Sequence, residues 1–97
     1  MPERILIVGA GLSGLALAFR LQQRMPNAEV QVLESDSRPG GTAWTVERDG
    51  LTYELGPNGF LDSKPTTLEL ARELGLEKRL VPGSETAGKN RYLFLGD

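Results

Sequence analysis

The amino-acid sequence describes an α/β fold: a β-α-β unit, then a β-hairpin, then an additional helix. Three observations carry this. Ile5-Leu6-Ile7-Val8 is an unbroken, β-branched apolar run that enters a glycine-rich turn and then a stretch with helical spacing. Glu29 to Leu33, "EVQVL", alternates polar and apolar as a strand does. Asp49-Gly50 sits between two short β-prone runs, "TAWTVER" and "LTYEL", which is a strong two-residue hairpin signal.

Each element has a local reason. A continuous run such as Ile5–Val8 suits a strand covered on both faces, the habit of parallel sheets. Leu15, Ala18, Phe19, Leu21 and Met25 share one face of a helix over Leu15–Met25, with Arg20, Gln22, Gln23 and Arg24 filling most of the other. Pro26 and Asn27 end it, because proline has no N–H to continue the ladder. The strand at Glu29–Leu33 then lies parallel to the first, through a right-handed crossover. "ESDSRPGG" interrupts regular structure, and "GPNGFLDSKP" does so again after the hairpin. A second helix is expected over Thr66–Leu74. Pro65 fits its first turn, Thr66 with Glu69 has capping-box spacing, Gly75 follows its end, and Leu68, Ala71 and Leu74 form its apolar stripe. Pro82 to Asn90 reads as loop and Arg91 to Leu95, "RYLFL", as a strand.

The bulk properties exclude several chemistries. The 97 residues suffice for one small domain and carry a net charge of −2, which gives no basic footprint for nucleic acid. There is no cysteine and no histidine, so disulfides, thiolate nucleophiles, the usual zinc sites and every histidine-based triad are out. Arg4 followed by an apolar run imitates a signal peptide. Glu3 sits in the would-be positive region, however, no small-residue cleavage site follows, and Gly9, Gly11, Ser13 and Gly14 break the run. A cytoplasmic chain without a membrane segment is the expectation. No residue qualifies as catalytic. Trp44, Tyr53 and Tyr92 read as packing aromatics, and Asp49 and Glu54 as hairpin charges.

"GAGLSG" places glycine at positions 9, 11 and 14. In such a G-x-G-x-x-G turn the first glycine lets the chain leave the strand, the second lets a diphosphate approach the backbone, and the third lets helix and strand pack closely. The helix start near Leu12 and Ser13 adds free N–H groups and a partial positive charge, both suited to an anion. Twenty residues after Gly14, Glu34 ends the second strand, where a carboxylate can accept hydrogen bonds from the ribose hydroxyls of an adenosine. The same carboxylate would repel a 2′-phosphate, which leaves FAD or NAD rather than NADP. In "SRPGG", Arg38 can neutralise phosphate and Gly40-Gly41 can turn backbone N–H groups toward it, which favours FAD. The fold is then a partial Rossmann-like FAD-binding βαβ unit.

"VGAGLSGLALAFRL", "LESDSRPGGTAWTVERDGLTYELGPNGF", "ELGLEKRLV" and "KNRYLFLGD" together resemble the N-terminus of the protoporphyrinogen oxidase family, within the wider FAD-dependent amine-oxidase-like group. The resemblance covers the whole chain. "ELGPNGF" and "KNRYLFLG" are its more specific parts. It implies that Gly9, Ala10, Gly11, Leu12, Ser13 and Gly14 hold the FAD diphosphate, with Glu34 and Ser35 at the adenosine ribose. Arg38, Gly40 and Gly41 would line the diphosphate and ribityl path, with Thr42 next to the flavin. Gly56, Pro57, Asn58 and Gly59 would contact the cofactor near its flavin end. Thr42-Ala43 departs from the bulkier residues common there. In that family the flavin takes hydrogen from a porphyrinogen and oxygen reoxidises it, yielding a porphyrin and hydrogen peroxide. A related activity acts on coproporphyrinogen, and these residues do not separate the two substrates.

Family enzymes are several times longer. The chain is therefore expected to be an N-terminal FAD-binding fragment, 1–97, lacking the rest of the domain, with 91–97 beginning the substrate-domain segment and with no turnover of its own. The porphyrinogen would be a partner only of a full-length, membrane-peripheral enzyme. A first strand with one neighbour leaves an open edge, so self-association is expected too. A nicotinamide-dependent dehydrogenase fragment, another amine-oxidase- or desaturase-like flavoenzyme, and a non-catalytic partner-binding module are the alternatives.

Overall fold

In the computed structural model, described at residues 1–89 and 95–96, the chain divides into two compact units, Met1–Phe60 and Leu61–Asp97. The first opens with β1 (Arg4–Val8), α1 (Leu12–Arg24) and β2 (Glu29–Leu33). The two strands pair in parallel with Ile5 opposite Val30 and Ile7 opposite Val32. Pairing runs past both ends: the Glu29 N–H donates to the Glu3 carbonyl at 2.8 Å and the Gly9 N–H to the Leu33 carbonyl at 2.7 Å.

Helix α1 packs on one face of this pair. Ile7 and Ala10 are buried there, and Ile5, Val30, Val32, Ala18, Leu21 and Met25 are half-buried. The other face is open, with Leu6 56% and Val8 82% exposed. The expectation of a strand covered on both faces is thus corrected. Among the described residues α1 alone packs on this sheet, and it shields one face. The helix begins at Leu12, where the glycine turn feeds it directly, three residues before its apolar stripe starts.

The hairpin forms as its turn chemistry dictates. β3 (Thr45–Arg48) and β4 (Leu51–Glu54) pair antiparallel. Asp49 at φ 53° and Gly50 at φ 76° both take the left-handed conformation, as a type I′ turn requires. A Thr45 hydroxyl to Glu54 carboxylate bond of 2.7 Å closes the far end.

In the second unit, α2 (Pro65–Glu73) ends in a Schellman motif. Gly75, at φ 73°, donates its N–H to the Arg72 carbonyl, and Leu76 donates to that of Ala71 at 2.8 Å. The Thr66–Glu69 capping box does not form. Proline is pre-organised for the first helical position and forces its predecessor to be extended, so Lys64 becomes the N-cap and Thr66 falls inside the helix. A 3₁₀ turn, Glu77–Arg79, packs on α2, and Arg72 bonds Glu77 at 2.8 Å. Within the expected loop lies a short helix, α3 (Glu85–Lys89), whose terminal Glu85 and Lys89 complement the helix dipole. Residues 91–94 of the expected "RYLFL" strand lie outside the described residues, and Leu95 belongs to no regular element.

Candidate functional site

The turn between β1 and α1 places the three glycines differently. Gly9, at φ 101°, takes a conformation that L-residues with a Cβ rarely adopt, and this turns the chain out of β1. A Cβ on Gly14 would run into the Gly9 carbonyl oxygen, so only glycine lets α1 approach the turn this closely. Gly11 is the N-cap of α1, with extended backbone, and a Cβ built on it meets nothing within 4 Å. Gly11 therefore faces open space, as a backbone that must admit a ligand does.

The helix start beside it is electrostatically bare. No side chain caps it and no acidic residue lies in its first turn. The first N–H groups of a helix have no partner within it, and together they carry about half a positive charge. Leu12 and Ser13, the first two helical residues, are exposed.

Glu34 stands at the end of β2, one residue past the pairing. The Ala10 N–H donates to its Oε1 at 2.8 Å and the Asp36 N–H to its Oε2 at 2.8 Å. These bonds favour the ionised form, and they hold the carboxyl below the usual carboxylate range, the Asp36 contact acting most and the Ala10 contact next. An anionic acceptor is thus fixed beside the glycine turn. Ser35 is exposed beside it. Ala10, Leu15, Val32, Glu34, Asp36 and Pro39 line a cleft of about 310 Å³ there, with Ser37 and Arg38 at its wall.

The "SRPGG" loop folds back on the same turn. Gly40 and Gly11 form a parallel bridge, with the Gly40 N–H donating to the Ala10 carbonyl at 2.7 Å. Gly40 at φ 115° and Gly41 at φ 62° supply the required curvature, and a Cβ on Gly41 would come within 3.1 Å of the Gly11 Cα. Further along, the Leu55 N–H donates to the Trp44 carbonyl at 2.8 Å, and a Cβ on Gly56 would collide with the Thr42 carbonyl. Pro57, Asn58 and Gly59 follow as exposed coil.

The structure therefore gathers Gly9–Gly14, Glu34, Gly40 and Gly41 around one turn, and brings Thr42 against Gly56. Two residues acquire parts that sequence spacing did not assign. Asp36 is the backbone donor that completes the Glu34 clasp, for which the Glu-Ser-Asp turn composition was the available signal. Trp44 is 47% exposed and packs its ring against the Arg38 guanidinium, 4.3 Å away, rather than into a core.

Residues 12–96 match the family described as flavin containing amine oxidoreductase. Coproporphyrinogen III oxidase of Staphylococcus aureus is 39% identical over 94 residues, covering 97% of this chain and 20% of that protein. The chloroplastic protoporphyrinogen oxidase of Nicotiana tabacum is 46% identical over 81 residues, covering 84% of this chain and 14% of that protein. Among solved structures, one assigned as a protoporphyrinogen oxidase from Exiguobacterium sp. 255-15 superposes with a TM-score of 0.75 at 33% identity, covering 80% of this chain and 17% of that one. A putrescine oxidase superposes with a TM-score of 0.68 at 36% identity, covering 77% and 16%. The chain thus spans a fifth or less of the length of these relatives.

Proposed function

The chain belongs to the flavin containing amine oxidoreductase family, and we propose that its Met1–Phe60 unit holds the diphosphate and adenosine of FAD for a porphyrinogen-oxidising flavoenzyme. The single observation that carries this is the convergence at the β1–α1 turn. An uncapped helix start faces outward beside a Gly11 open to approach, and the ionised Glu34 is clasped alongside. One end suits an anionic diphosphate and the other suits ribose hydroxyls.

The residues present fit the cofactor. The N–H groups opening α1 would meet the diphosphate. The Glu34 oxygens keep lone pairs beyond the two backbone bonds and would accept from the ribose. Gly40 and Gly41 would flank the diphosphate path, and Thr42 with Gly56 to Gly59 would lie toward the ring system. Bound flavin supplies hydride or electron acceptance, while the protein contributes position and exclusion of water. The porphyrinogen as substrate is supported by the likeness to the coproporphyrinogen and protoporphyrinogen oxidases, and the rest of such an enzyme would bind it.

Titration with FAD, followed by quenching of flavin fluorescence, tests the assignment. Saturable binding is expected, weakened by about tenfold or more in Glu34→Arg, since an acceptor becomes a donor of opposite charge. NADP should bind more weakly than NAD, because Glu34 opposes its 2′-phosphate. Absence of FAD binding, or binding indifferent to Glu34→Arg, would overturn it. Splicing these residues into a full-length relative in place of its own segment tests the substrate arm, with flavin-loaded porphyrinogen oxidation expected.

A further inference from the structure

Arg38 was expected to face phosphate, yet its guanidinium is engaged by its own loop. Nη1 donates to the Pro39 carbonyl at 3.0 Å and to the Ala43 carbonyl at 3.3 Å, and Nη2 donates to the Gly41 carbonyl at 2.6 Å. The flat face of the group rests on the Trp44 ring, 4.3 Å from its centroid. A Cβ on Gly40 would stand 3.0 Å from both Arg38 Nη1 and the Ala43 oxygen, so the loop leaves room for the guanidinium and for little else.

The loop is fastened at both ends. The Gly40 N–H bonds the Ala10 carbonyl, the Ala43 N–H bonds the Gly40 carbonyl at 3.1 Å, and the Trp44 carbonyl accepts from Leu55 beyond the hairpin. The Arg38–Trp44 contact spans them, Arg38 standing two residues before the first fastening and Trp44 carrying the last. A planar fork can serve three carbonyls and lie flat on an aromatic face at once, whereas a lysine ammonium gathers its three donors at one point and has no flat face, so it cannot hold both sets of partners together.

We propose that Arg38 and Trp44 form a latch that sets the Gly40–Gly41 backbone against the β1–α1 turn, so that Arg38 serves the cofactor site as a positioning residue through this loop rather than as a counter-charge to phosphate. The ligand side of this rests on the FAD assignment above. The latch itself is a property of the chain alone. Conservation of charge and conservation of shape therefore separate the two roles. Arg38→Lys keeps the charge and loses the fork. Trp44→Phe keeps a ring, and Trp44→Ala removes it without touching any charge.

The deciding experiment measures amide hydrogen exchange at Gly40 and Ala43 in the ligand-free chain, with Gly9, bonded to Leu33, as internal reference, and then repeats the FAD titration on each variant. Arg38→Lys should speed exchange at Gly40 and Ala43 by about tenfold through loss of the fork's hydrogen bonds, and Trp44→Ala by about threefold through loss of the aromatic face, with Gly9 unchanged. Each should weaken FAD in step with its effect on exchange, and Trp44→Phe should keep most of the native exchange and affinity. Native exchange and native affinity in Arg38→Lys would overturn the latch and make Arg38 a counter-charge, and a silent Trp44→Ala would overturn it equally. Failure of the unsubstituted chain to bind FAD would instead overturn the cofactor assignment and the latch's part in binding. The exchange rates would then decide the latch by themselves.

Discussion

The β1–α1–β2 unit and the β3–β4 hairpin are both two-stranded, and they are held together by different physics. The first is organised around packing. A helix lies on one face, Ile7 and Ala10 are buried beneath it, and a glycine is required where helix and turn meet. Among the described residues the hairpin has no such cover: Leu51 is 58% and Tyr53 46% exposed, and Val46 alone among its strand residues is half-buried. Its register follows from two left-handed turn residues and a cross-strand ladder. The features proposed to face the cofactor belong to the packed unit, because a fixed helix end and a fixed carboxylate need a rigid support. The hairpin contributes by where it anchors the loop that returns to that turn.

Gly14→Val should break the packed unit with the largest effect. Its side chain enters the space of the Gly9 carbonyl, and both backbones are already committed to β1 and α1. A loss of about 3 kcal/mol or more is expected, seen as collapsed amide protection across Ile5–Val8 and Val30–Leu33, while hairpin amides keep theirs. Equal loss in both regions would mean that they are not separately supported.

Gly50→Val should do the reverse at smaller cost. A β-branched residue at φ 76° is strained by about 1–2 kcal/mol, so the hairpin amides should exchange faster while β1 and β2 are unaffected. Circular dichroism would change little, and site-resolved exchange is the measurement that separates the two variants.

Glu34 sharpens the comparison through pH. Its carboxyl is held below the usual range by two backbone donors, so the stabilisation is present above the unfolded-state pKa and is lost as pH falls through the lower folded value. In an acid titration the Ala10 and Asp36 amides should lose protection in that acidic window. Glu34→Gln should abolish that pH dependence and leave the hairpin's behaviour in acid unaltered.

The smallest effect belongs to the Arg4–Glu29 pair at the entrance of the sheet, 3.1 Å apart, with side chains 83% and 44% exposed. A double-mutant cycle should return about 0.2–1 kcal/mol at low salt and less at high salt. A larger, salt-insensitive coupling would show that strand register depends on this pair rather than on the α1 face.

Where local chemistry decides a feature, the sequence showed it. The Ile5–Val8 run, the glycine spacing, "EVQVL", Asp49-Gly50 and Gly75 each act within a few residues, and the strands, the turns and the helix end formed there. The Glu34 position followed from the length of the unit. Competition between local signals was harder to read. Pro65 won over the Thr66–Glu69 box because a locked φ outweighs an optional side-chain bond. Burial was legible for one face only, since the covering of Leu6 and Val8 depends on what lies beyond this sheet. The partnership of Arg38 with Trp44 had no spacing rule behind it, because an irregular loop brings them together.

The most direct test of the central claim is a map of backbone amide shifts during titration with FAD. The changes should concentrate at Ala10 to Gly14, Asp36, Gly40 and Gly41, saturate together, and leave the Arg48–Leu51 turn still. They should shrink at matched concentration in Glu34→Arg. Shifts confined to the hairpin or scattered over the exposed apolar residues, with Gly11 to Ser13 unmoved, would contradict it.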